Sequence, residues 1–180
     1  GTGYSVEDRN AGGNGYVPIS LRYGEYTANV AREHSIAGGD PLESSSNRSY
    51  RGKTVTSTNA ADADVITKTK SELGNKPLVT VVYATKPFVP AEIEPGSDAL
   101  FVAFGVQYMA VFEIISGAYE PSAMLPMQLP ADMATVELQN EDGFGDMECY
   151  RDSEGNVYDF AFGLNWTGQV KDWRYRKYHR

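Results

Sequence analysis

Residues Leu78 to Ala84 form a continuous apolar run rich in valine. A run of this kind fits a strand covered on both faces, as in a parallel sheet, because a strand with one wet face would alternate apolar and polar residues. Ala99 to Phe104 reads as a second such strand. Pro87, Pro90 and Pro95 lie between the two and leave room only for a short helix.

The flanking segments supply helices. Asn59 is placed to cap a helix whose third residue, Asp62, complements the helix dipole, with Val65, Ile66, Thr69 and Leu73 on one face and Gly74 ending it. Tyr108 to Ser116 carries Ala110, Val111, Ile114 and Ile115, and Gly117 stands where a left-handed cap belongs. Met124 to Leu129 reads as a final short strand, moved towards an edge by Pro126. Alternation of strand and helix predicts an α/β fold, a three-layer sandwich with a mainly parallel sheet.

The N-terminal part is less regular. Thr2 to Gly15 is a loop rich in Gly and Asn, and Tyr16 to Ala28 alternates at Val17, Ile19, Leu21 and Tyr23 like a strand with one buried face. Gly38 to Gly52 is a long polar connection that belongs on the surface or against a partner. The last ten residues, 171–180, form a basic aromatic tail, with Trp173 and Tyr175 expected to pack as an extended segment while the cations stay in solvent.

At 180 residues the chain suits a single domain spanning 1–180. A formal charge of −8 argues against general affinity for nucleic acid or anionic membrane, so neither is an expected partner. Cys149 is the only cysteine and is expected to be a small buried apolar residue. No apolar run is long enough to span a bilayer and no signal peptide is visible, so the chain reads as soluble.

Two longer motifs go further. The first is Gly117-Ala118-Tyr119-Glu120-Pro121-Ser122-Ala123-Met124-Leu125-Pro126-Met127-Gln128-Leu129-Pro130, and the second is Phe160-Ala161-Phe162-Gly163-Leu164-Asn165-Trp166-Thr167. They resemble the C-terminal domain of glycoside hydrolase family 3, which writes these places as roughly G-x-x-x-P-S-G-K-L-P-x-x-x-P and F-x-F-G-L-S-Y-T. The sequence departs from that pattern at Ala123, Met124, Asn165 and Trp166. The apolar strand from Lys76 to Tyr83, the turn at Pro87 and the strand from Ala99 to Gly105 are similar to the family as well, so the likeness runs from about Lys76 to Thr167.

The resemblance implies one half of a retaining β-glucosidase-like enzyme. Such hydrolysis uses two carboxyl groups about 5–5.5 Å apart, one as nucleophile and one as acid/base. Family members place the nucleophilic Asp on a preceding (β/α)8 barrel, in an S-D-W-like motif that this chain lacks. Lys171-Asp172-Trp173 lies in the tail instead. The implied partners are that N-terminal barrel domain and an oligosaccharide or β-glycoside substrate, and the chain alone is expected to be inactive. By analogy with the family the enzyme would be periplasmic or secreted.

The family's acid/base Glu lies in many members on a variable loop of this domain. By position the candidates are Glu33 and Glu43, with Asp40 and His34 as nearby substrate-binding candidates. Gln107 follows a core strand at its carboxyl end, where open α/β sheets place ligand crevices, and is a candidate donor to a sugar hydroxyl. His34, Ser35 and Asp40 include the residue types of a hydrolytic triad, but no nucleophile elbow surrounds the serine. Neither a zinc site nor a cofactor is expected, since no Cys or second His stands at ligand spacing from His34. Two other classes remain open: a non-catalytic carbohydrate- or protein-binding α/β module, and an RNA-binding accessory domain using the tail.

Overall fold

The computed structural model describes residues 20–32, 51–55, 59–140 and 145–178. Of the strand expected around Tyr16 to Ala28, the described residues contain β1 (Tyr26–Thr27), which pairs antiparallel with β2 (Thr54–Val55); residues 16–19, with Val17 and Ile19, lie outside the described residues. Residues 22–24 bend instead, where the Glu92 carboxylate captures the backbone of Tyr23 and Gly24. Tyr23 N donates to its Oε2 at 2.6 Å and Gly24 N to its Oε1 at 3.1 Å, and the Arg22 guanidinium pairs with Oε1 at 2.9 Å.

Helix α1 (Ala60–Leu73) follows the expected bounds. Asn59 caps it through its backbone, its carbonyl accepting from Asp62 N, and Gly74 ends it with φ 59°. Ile66 packs on the core, and Thr69 and Leu73 are half-buried, but Val65 is 62% exposed. The inward stripe starts at Ala63 and continues through Ile66, a spacing of three that leaves Val65 on the solvent side.

Strands β3 (Val79–Tyr83) and β4 (Ala99–Ala103) pair in parallel, Val79 opposite Ala99 through Tyr83 opposite Ala103. The proline-rich connection holds two 3₁₀ turns, Pro90–Glu92 and Glu94–Gly96, and it buries Phe88, Val89, Pro90 and Ile93. One face of the pair presents Val82, Leu100 and Val102 to a core of Tyr23, Phe88, Ile93, Leu129, Tyr158 and Phe162. The other face is partly open, with Val79 and Tyr83 both well exposed. Among the described residues the structure is thus α/β with a small, two-stranded parallel sheet.

Helix α2 (Tyr108–Ile115) closes with the expected cap. Gly117 has φ 79° and donates to Ile114 O, while Ala118 N donates to Glu113 O, which is the paired bonding of a Schellman motif.

Met124 to Leu129 does not form the expected strand. Pro126 and Pro130 remove donors that a ladder would need, and the segment bonds irregularly to two later stretches. Leu125 exchanges bonds with Ala161 and Phe162, and Leu129 with Tyr150 and Tyr158. Two motifs that lie far apart in sequence are therefore bound to each other. Short helix α3 (Met133–Leu138) follows, capped by the Asp132 side chain accepting from Thr135 N at 2.9 Å.

Beyond it lie the antiparallel pair β5 (Leu164–Asn165) and β6 (Gly168–Gln169), then α4 (Trp173–Tyr178). The tail is helical rather than extended. Asp172 accepts from Arg174 N at 2.8 Å and holds the Arg174 side chain, while Arg176 and Lys177 sit in the last turn, where cations favour the dipole. Trp173 is 61% exposed, so it does not pack down as expected. No helix among the described residues is long and apolar enough to cross a membrane.

Candidate functional site

The carboxyl ends of β3 and β4 lead into one small region. Gly105 leaves β4 with φ 69°, a conformation that costs an ordinary residue and that turns the chain into α2. Gln107 is the N-cap of α2, yet its side chain makes no capping bond; its backbone carbonyl accepts from Ala110 N. The Gln107 side chain is exposed. Beside it, Tyr83 and Tyr108 meet edge to face with centroids 5.0 Å apart. Partial desolvation, then the neighbouring Tyr108, raise the Tyr83 phenol above its usual range.

The hollow beside the end of β3, lined by Tyr23, Asn59, Val82, Tyr83 and Phe88 among others, measures about 50 Å³. Ligand pockets run to roughly 300–1,000 Å³, so this one holds at most a water or two. The side chains of Gln107 and Tyr108 lie outside it, on the open surface.

That surface is unusually apolar. Tyr108, Met109 and Phe112 of α2 are each at least 60% exposed, and Phe104, Val106 and Ile115 flank them. Only Val111 of the helix is buried. The apolar residues Ala110, Val111, Ile114 and Ile115 do not all face inward, because α2 is covered on one narrow side.

The remaining sequence-derived candidates, Glu33, His34, Asp40 and Glu43, lie outside the described residues, as do most of the connection from Gly38 to Gly52 and His179. Among the described residues no group of three or more His, Cys, Asp or Glu is arranged to hold a metal. Asp172, which the S-D-W comparison drew attention to, is a helix-capping residue whose carboxyl is held low by its hydrogen bonds with Arg174.

One unusual carboxylate was missed. Glu137 of α3 is 4% exposed, and among the described residues neither carboxylate oxygen makes a hydrogen bond of ordinary geometry, the Tyr26 side chain and the Val30 amide being the donors nearest to doing so. Burial raises its carboxyl above the usual range, partly offset by the Tyr26 side chain and the Val30 amide. Its signal in the sequence is its spacing of four from Met133, which places a Glu on the buried stripe of a short helix.

The two longer motifs are structural in this arrangement. The Arg174 guanidinium donates to the Ser122 carbonyl at 2.8 Å, tying α4 to the Pro121-Ser122 turn. Gly163 does not have positive φ; it is required because a β-carbon there would run into the backbone of Ala123 and Met124.

No family model matches the chain, and no solved structure matches it. Among curated proteins, a probable beta-glucosidase C of Aspergillus flavus is 29% identical over 91 residues, which take in 51% of this chain and 13% of that protein. The corresponding Aspergillus oryzae protein gives the same figures, 29% over 91 residues. Beta-glucosidase C of Emericella nidulans is 27% identical over 90 residues, 50% of this chain and 14% of its own length. Half of this chain is thus similar to a short part of much longer fungal β-glucosidases.

Proposed function

We propose that the chain is the C-terminal α/β-sandwich domain of a family 3 glycoside hydrolase of the β-glucosidase kind. The observation that carries this reading is the similarity to fungal β-glucosidases over half of the chain. In this reading a (β/α)8 barrel supplies the nucleophilic Asp, and this domain docks on it to complete the sugar-binding cleft. The uncovered apolar surface of α2 and the open face of β3 and β4 support a partner there, since monomers rarely expose large contiguous apolar patches.

Gln107 then stands at the cleft rim and donates to a substrate hydroxyl, with Tyr108 beside it as an apolar platform. Glu33 or Glu43 serves as the acid that protonates the leaving group, and His34 and Asp40 help to hold the sugar. If so, Glu33→Gln or Glu43→Gln in the intact enzyme slows a substrate with a poor leaving group far more than one with a good leaving group. Equal, small effects on both substrates would remove these carboxylates from the role.

A chimera tests the reading as a whole. The matching stretch of the Aspergillus oryzae protein is replaced by that of this chain, and hydrolysis of nitrophenyl β-glucoside is measured. A folded chimera that turns over substrate, while this chain alone does not, supports the assignment. A folded but inactive chimera, or turnover by the chain alone that a mutation in it abolishes, counts against it.

A further inference from the structure

A second cavity lies away from the strand ends and shares no residue with them. It measures about 790 Å³, within the size range of ligand pockets, and is lined by Met127, Gln128, Met147, Cys149, Val157, Asp159, Phe160, Lys177 and Tyr178, with Gly145 at the wall. The cavity is assembled where the 127–130 segment, the 147–160 stretch and α4 converge, which is where the two sequence motifs are bound together. Its walls combine a cluster of apolar side chains with a few polar groups.

The polar groups have a definite donor and acceptor pattern. Gln128 Nε2 donates to Asp159 Oδ1 at 2.8 Å and to Cys149 Sγ at 3.3 Å. Because a carboxylate can only accept, this fixes the orientation of the amide, and Gln128 Oε1 is left as an acceptor with no hydrogen bond among the described residues. Asp159 Oδ1 also accepts from Phe160 N at 2.6 Å, which anchors the carboxylate from a second direction. Lys177 has no carboxylate partner among the described residues; its Nζ rests 5.0 Å from the centroid of the Tyr178 ring. That contact positions the ammonium and leaves its hydrogens to donate.

Phe160 and Tyr178 meet edge to face at 6.0 Å, and both rings stay about 40% exposed. The cavity therefore presents rigid aromatic surface beside two fixed acceptors and one donor. Cys149 plays no chemical part: burial, then the nearby Asp159, push its thiol up to about 11, so it stays protonated at neutral pH.

We propose that this cavity is a non-catalytic binding site for a neutral β-glucoside unit of mono- or disaccharide size. A pyranose has the matching chemistry, since its C–H edges pack on the electron-rich faces of aromatic rings while its hydroxyls both donate and accept. Gln128 Oε1 and the Asp159 carboxylate accept from two hydroxyls, and Lys177 donates to a third. An anionic ligand is disfavoured by Asp159 and by the chain's net charge of −8. The choice of a glucoside as ligand rests on the β-glucosidase reading above; the geometry itself requires only a neutral polyol with an apolar face. In that setting the site would hold a second unit of a polymeric substrate and raise its concentration near the cleft.

The test is titration of glucose, cellobiose and laminaribiose into isotopically labelled chain, followed by amide shifts. Saturable shifts are expected at Phe160, Lys177 and Tyr178, and not around Gln107. Gln128→Leu and Tyr178→Ala should each weaken binding at least about tenfold, from a lost hydrogen bond and a lost ring. Tyr178→Phe, which keeps the ring, should retain binding, as should Tyr119→Ala at an exposed ring elsewhere. No saturable binding of any of the three sugars overturns the proposal, and so does binding with shifts located elsewhere. Should a variant fail to fold, the shift map of the unmodified chain still decides. An active chimera together with an empty cavity would sink this site and keep the enzyme reading, whereas sugar binding with an inactive folded chimera would do the reverse.

Discussion

Gly163 and Ala123 are in backbone contact across two motifs that lie forty residues apart in the chain, and the contact leaves no space for a β-carbon at position 163. Neighbouring bonds hold the approach in place, Leu125 N donating to Phe162 O at 2.7 Å and Ala161 N to Leu125 O at 2.9 Å. Gly163→Val must therefore push the Phe162 and Leu125 strands of chain apart, and both side chains belong to the core. Overpacking of this kind costs about 1–3 kcal/mol. The expected result is a lower melting temperature with near-native secondary structure; a melting temperature equal to that of the parent would show that the two segments can separate freely.

Glu92 is the hub of the opposite end of the core. It accepts from the backbone of Tyr23 and Gly24 and from the Arg22 guanidinium, and its position in the 3₁₀ turn couples residues 20–24 to the β3–β4 connection. Glu92→Gln keeps the shape but replaces one acceptor by a donor facing donors. A hydrogen bond to a charged group contributes about 1.5–3 kcal/mol, so a loss in that range is expected in denaturant titration. Arg22→Ala should cost less, under about 1 kcal/mol, because the guanidinium is more than a third exposed and water can replace it. A larger loss for Arg22→Ala than for Glu92→Gln would assign the hub to the ion pair rather than to the backbone amides.

The legible parts of the fold were those set by local physics. The valine-rich run, the second strand, the α1 bounds and the Gly117 cap each depend on periodicity or on one residue's backbone freedom, and all are found in place. The failures have a common cause in tertiary contacts. Val65 faces solvent because the core lies to one side of Ile66, and Met124 to Leu129 forms no ladder because its backbone partners are scattered, at Tyr150, Tyr158, Ala161 and Phe162. The tail turns helical once Asp172 caps it, a contest between propensity and surface packing that composition cannot decide. The place of Gln107 between a strand and a helix was legible, whereas the Tyr83–Tyr108 pair and the Gln128–Asp159 bond join residues far apart in sequence.

The exposed face of α2 gives a prediction that separates folding from assembly. Met109 is 65% and Phe112 60% exposed, so neither contributes much to the core. Met109→Lys and Phe112→Lys should change stability by no more than about 0.5 kcal/mol, as surface substitutions usually do. The parent chain should associate with rising concentration through this patch, and the double variant should not. Light scattering measures this directly. Identical scattering from both proteins, or a marked loss of stability in the variant, would mean that the face is either already covered or part of the core.

Glu137 makes the stability of the chain depend on pH in a direction opposite to that of its other shifted carboxylates. Burial, only partly offset by the Tyr26 side chain and the Val30 amide, raises its folded-state carboxyl above the value it has in the unfolded chain. The folded state then holds the proton more tightly, so stability from this group is fully present below the unfolded pKa and is lost as pH rises towards the folded one. Asp98, Asp146 and Asp172 have lowered values, from the Lys70 hydrogen bond, the Asn140 amide and Arg174 respectively, and their contribution is lost as pH falls. Comparing the parent with Glu137→Gln cancels those terms. The neutral isostere should match the parent at about pH 4, near the ordinary Glu value, and exceed it increasingly towards neutrality. Denaturant titrations of both proteins across that interval measure the difference. A constant gap, or a Gln variant that becomes relatively less stable as pH rises, would mean that the carboxylate is no harder to ionise in the folded chain than in the unfolded one.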